Sequence, residues 1–187
     1  MKCTASIVTA LSIIALAGAC AGPFVSSISD YHPSYNPMNF TSYHAGRDTE
    51  LRVIGEASFG VSRADLGLAV GRDMHGQHFG RPSNFTLSPG PSAEKNLYVI
   101  MAFNVEDDRD LCASAAMLRP RPVTGKTVLQ GAWCWSKETY AYVRTEGPAA
   151  KPGDPVFSRM VADATGELFT RNPDVELQEE DNNDSIP

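Results

Sequence analysis

Seven consecutive residues, Leu97-Tyr98-Val99-Ile100-Met101-Ala102-Phe103, leave almost no polar atom on either side of an extended chain. A strand points alternate side chains to opposite faces, so a run apolar on both must be covered on both. It therefore belongs in the middle of a sheet, and the rest of the chain has to supply the cover.

Two segments carry a helical period. In the first, Ser62 stands as N-cap with Asp65 three residues on, and Val61 is placed to staple onto Leu66. Leu66, Ala69, Val70 and Met74 then recur at helical spacing, and Gly76 offers a stop. The second has Asp154 as N-cap, Pro155 at the first helical position, and Phe157, Met160, Val161, Ala164, Leu168 and Phe169 on one face. Leu51, Val53 and Ile54 read as a short first strand. Thr127 to Trp135 and Thr139 to Thr145 read as a β-hairpin turning at about Lys137-Glu138. The expected fold is α+β: a small antiparallel or mixed four-stranded sheet with two helices, in the order β-α-β-β-β-α.

The chain ends read differently. Residues 1–19 have one cation, Lys2, an apolar run from about Ala5 to Ala17, and small residues up to Cys20, which is the layout of a secretory signal peptide. The apolar run is shorter than the ~20 residues that a membrane-crossing helix needs. Residues 20–48 mix Pro, Ser, Asn and Tyr without a sustained period and read as a tether reaching about 30 Å on average. Tyr31, Tyr35 and Tyr43 within it could instead lie along the domain or meet a partner. The domain spans 49–172, and 173–187 form an acidic, disordered tail holding Asp174, Glu176, Glu179, Glu180, Asp181 and Asp184. Without those six acids the formal charge of −6 is close to zero, and no basic stripe suited to nucleic acid is visible.

Leu16-Ala17-Gly18-Ala19-Cys20 resembles the lipobox of bacterial lipoproteins. The branched aliphatic residue usual three positions before the cysteine is replaced by Ala17, with Leu16 one position further back. The resemblance implies a lipid on Cys20, a membrane anchor in the cell envelope and, since Ala21 rather than Asp follows, the periplasmic face of the outer membrane. Plain secretion with a cut after Ala21 is the alternative, because Ala19-Cys20-Ala21 also fits an A-x-A pattern. By either route Cys112 and Cys134 remain as a pair in an oxidising compartment, and a disulfide between them is expected.

Candidate chemistry is sparse. Gly55 to Ser62 has the outline of a phosphate-binding loop, but Val61 stands where a Walker loop needs its lysine, so turn chemistry is the better account. Asp73, His75 and His78 are weak metal-ligand candidates, because their spacing straddles a helix end. Pro37-Met-Asn-Phe40-Thr41 and Pro82-Ser-Asn-Phe85-Thr86 form a small repeat whose phenylalanines read as anchors to the core. The acidic run from Glu106 to Asp110 reads as a solvated loop. In the hairpin, Trp135 is expected across from Tyr140 and Trp133 across from Tyr142, giving one aromatic face that is either core or a candidate binding face for a partner or glycan. No G-x-S-x-G elbow or HExxH is present. The expectation is a non-catalytic envelope module with no cofactor, an unidentified envelope protein partner or a glycan ligand, and a hydrolase as the least supported alternative.

Overall fold

A computed structural model describes residues 26–171. Its strands are β1 (Ser26–Tyr31), β2 (Asp48–Ile54), β3 (Asn84–Thr86), β4 (Leu97–Phe103), β5 (Lys126–Trp135) and β6 (Glu138–Pro148). Its helices are α1 (Pro37–His44), α2 (Arg63–Met74), α3 (Leu111–Ser114) and α4 (Pro155–Leu168). The strands make one mixed sheet in the order β1-β6-β5-β4-β2-β3. β4 pairs in parallel with β2 and antiparallel with β5, and β3 extends the parallel side.

Among the described residues the sheet thus has six strands and the domain four α-helices, which corrects the four-stranded, two-helix expectation; the α+β class stands. The additional elements are β1, α1, β3 and α3. The first two lie in the segment read as a tether, and both are fastened to α4 and the core. In β1, Tyr31 donates its hydroxyl to the carbonyl of Glu167 at 2.8 Å. In α1, Asn36 caps the helix by accepting from the Met38 N–H at 2.9 Å, Pro37 takes the first position, and Phe40 and His44 are buried one turn apart. Phe40 stacks on Phe169 with ring centroids 3.7 Å apart and on Phe85 at 6.3 Å, so the two small repeats meet in the core. Burying a phenylalanine stabilises by about 1.5–3 kcal/mol, which contributes to holding the helix in place.

β4 is central, with two distinct covers. Leu97, Val99, Met101 and Phe103 pack under α1, α2 and α4, together with Leu51, Val53, Leu129 and Trp133. Tyr98, Ile100 and Ala102 pack on the other face with Leu111, Cys112, Ala132, Cys134 and Tyr142, beneath α3 and its flanking loops. A Cys112–Cys134 disulfide, Cα atoms 5.6 Å apart, staples α3 to β5 on that second face. Buried Gln130 ties down the loop before α3: its side chain donates to the carbonyls of Val105 and Glu106 and accepts from the Asp108 N–H and the Tyr142 hydroxyl.

Both helices read from the sequence are present with their expected starts. Ser62 Oγ accepts from the Asp65 N–H at 3.1 Å, and Pro155 opens α4. Gly71 explains itself through packing, since a Cβ there would lie 2.6 Å from the carbonyl oxygen of Phe85; glycine lets α2 lie directly on β3. The loop between β2 and α2 is a 3-10 turn bounded by Gly55 and Gly60, at φ 97° and 66°; Gly60 is needed for its backbone conformation, and Gly55 also because a Cβ there would lie 2.0 Å from the Phe103 carbonyl oxygen.

Candidate functional site

The hairpin end of the sheet gathers most of the candidate residues, though not as one aromatic face. The turn is Ser136-Lys137, one residue earlier than expected, with Ser136 at φ 57°. A bulge at Trp133/Cys134 shifts the register, so Trp133 stands across from Ala141 and Tyr142 across from Ala132. The expected Trp133–Tyr142 and Trp135–Tyr140 cross-strand pairs are therefore not formed. A one-residue shift changes faces: Trp133 is buried under the helices, while Tyr142 is buried on the disulfide face. Burial pushes the Tyr142 hydroxyl up to about 12, with Asp107 nearby adding to the shift.

Trp135, 41% exposed, and half-buried Tyr140 remain available. Because of the bulge, Tyr140 turns to the helix side and joins Trp135, their ring centroids 5.9 Å apart. The strip continues at both ends: Tyr43 meets Trp135 edge-on at 5.9 Å, and His32 lies 5.3 Å from Tyr140. Beside it runs an open cleft of about 810 Å³ lined by His32, Arg109, Asp110, Trp135, Lys137 and Glu138. An apolar ring bordered by both signs of charge suits a polar ligand with an apolar face, or a protein surface. Reading 20–48 as a tether left His32 out of this strip, while Tyr43 joins it as the alternative of tyrosines lying along the domain allowed. The Asn36-Pro37 cap and the four-residue spacing of Phe40 and His44 were the available signals for α1.

His32 Nε2 faces Glu138 Oε1 at 3.3 Å, and its Nδ1 accepts from the Ser34 N–H at 3.1 Å. Both ring nitrogens are thus engaged within the protein.

A second cluster sits in the core. Trp133 Nε1 donates to His44 Nε2 (3.3 Å), so the ring proton is on Nδ1 and points at Thr49 Oγ1 (2.8 Å). Thr49 Oγ1 lies 2.6 Å from Ser83 Oγ, which donates to the Arg47 carbonyl at 3.1 Å. Burial, with smaller contributions from His78 and Arg47, lowers the His44 pKa to about 4. His78 is fixed similarly, accepting from the Ser83 N–H at Nε2 and donating from Nδ1 to the Phe79 carbonyl, and burial lowers its pKa as well. These are satisfied core histidines that join α1 to the sheet.

The weak metal candidates do not converge. The Asp73 carboxylate is taken by Arg72 and by Ser158 Oγ, each at 2.8 Å; His75 is exposed; His78 points into the core. Among the described residues no group of three His, Cys, Asp or Glu side chains could hold a metal ion. In the acidic run, Asp107 pairs with Arg121 and Arg144. Cys20 and the acidic tail lie outside the described residues, and within those residues no helix is long and apolar enough to cross a membrane. No protein-family model matches the chain, and no curated protein matches it at a significant level.

Proposed function

We propose that the protein is a non-catalytic lipoprotein of the cell envelope, exported by its N-terminal signal peptide and held to the membrane by a lipid on Cys20. Its α+β domain acts as an interaction module that recognises its partner through the hairpin end. The observation that carries this reading is the strip Tyr43-Trp135-Tyr140-His32 beside an open, charged cleft. Trp135 is exposed and the other three rings are half-buried; surface aromatics supply contact area at low entropic cost, and Trp and Tyr dominate interface energetics. The partner is an envelope protein. A photo-crosslinking residue in place of Trp135 is expected to capture a discrete envelope component that the same residue at exposed Leu68 does not. Equal capture from both positions would overturn the assignment.

A glycan ligand is the second reading, favoured by the pairing of Trp135 with donors and acceptors on Arg109, Asp110, Lys137 and Glu138. Trp135 fluorescence unchanged across a panel of envelope glycans removes it. The anchor is tested separately: palmitate labelling should disappear in Cys20→Ser, and labelling that persists, or is absent from the parent chain, excludes the lipid on that residue.

A further inference from the structure

We infer that the domain carries a second membrane contact, the basic loop Arg119-Pro-Arg-Pro-Val-Thr-Gly-Lys126, which rests on an anionic lipid surface. The inference builds on the Cys20 anchor. Cys20 and Ser26, where β1 begins, are six residues apart, a reach of at most ~20 Å. That span brings one end of the sheet to the bilayer, and strand pairing says which end. Ser26 stands across from Glu146 in β6, and Lys126 in β5 stands across from Pro148, two residues further out. Neighbouring strands are ~4.8 Å apart, so the start of β5 is only about 10 Å sideways from the start of β1. The hairpin turn lies at the opposite end, the length of β5 away.

The loop at the membrane end has the composition this position calls for. All eight residues from 119 to 126 are exposed; they include Arg119, Arg121 and Lys126 and no acid, with Val123 exposed at the centre. Its backbone is held nonetheless: Pro120 bridges to Val105, and the Arg121 N–H donates to the Asn104 carbonyl at 2.7 Å. The surface is thus presented by a fixed loop. Arg121 and Lys126 are partly shared with Asp107 and Glu146 at 3.3 and 3.5 Å, so the loop alone binds weakly. Each free cation near an anionic surface favours the bound state about fivefold. The lipid supplies the rest by holding the loop at high local concentration.

The test uses the purified, lipidated full-length chain in vesicles of brominated lipid, with and without phosphatidylglycerol in a phosphatidylcholine background. In Val123→Trp the added indole is expected to be quenched when phosphatidylglycerol is present, while Trp135 is not. The triple change Arg119→Ser, Arg121→Ser, Lys126→Ser on that variant, at exposed positions that leave the core intact, should restore the emission. Protein that floats with the vesicles but shows no quenching of the added indole, quenching indifferent to lipid charge, or quenching of Trp135 instead would overturn the loop contact while leaving the anchor in place. Protein that fails to float overturns the anchor, and the loop contact with it.

Discussion

The indole N–H of Trp133 donates to Nε2 of His44, 3.3 Å away and deep in the core. This bond fixes the tautomer of His44 and sets the direction of the chain that runs on through Thr49 and Ser83 to the Arg47 carbonyl. A proton added to His44 would turn its acceptor nitrogen into a donor facing another donor.

Stability should therefore fall as the pH drops from about 6.5 to about 4. In that window the unfolded chain takes up a proton that native His44 refuses, so unfolding binds protons and acid favours it. The loss from His44 alone is on the order of 3 kcal/mol, and His78, lowered by burial, acts in the same direction. Urea midpoints measured across this range should show the slope. A flat profile would mean that the native core admits the charge.

Replacing Trp133 with Ala should cost about 3–5 kcal/mol, because it empties a core site and orphans His44. Replacing Trp135 with Ala should cost less than about 1 kcal/mol and act on binding instead. Paired urea titrations check the contrast; equal losses would show that Trp135 is also structural.

Breaking the Cys112–Cys134 bond by Cys112→Ala with Cys134→Ala should remove about 3 kcal/mol, as expected for a loop closed over a separation of 22 residues. Hydrogen exchange should rise first in α3 and the loops beside it, which lie on the face that the bond fastens. Protection lost evenly over the domain would contradict that assignment.

Gly71→Ala should destabilise by roughly 1–3 kcal/mol although alanine is the better helix former. The new methyl group would meet the Phe85 carbonyl at 2.6 Å and push α2 away from β3. Thermal melting gives the sign directly, and a raised midpoint would rule out the close approach.

The elements legible in the sequence were those whose signals are local. Ser62 and Asp154 mark helix starts by their chemistry and spacing, and the unbroken apolar run of β4 could only be central. The two late cysteines were a pair by elimination. The missed elements draw their stability from remote partners. β1 has a mostly polar sequence and gains its place through pairing with β6 and the Tyr31 bond to Glu167. β3 has three residues and leans on β2 and α2. In the hairpin the alternation was visible but the bulge at Trp133/Cys134 was not, and that one residue decided which aromatics reach the surface.

The pairing of β1 with β6 has a consequence for the order of assembly. Ser27 meets Thr145 across a separation of 118 residues. A chain emerging N-terminus first cannot complete its sheet until β6 has followed, and closing so long a loop is slow. The first strand must wait for the last, and the native arrangement closes only when almost the whole chain is on the same side of whatever barrier it crosses.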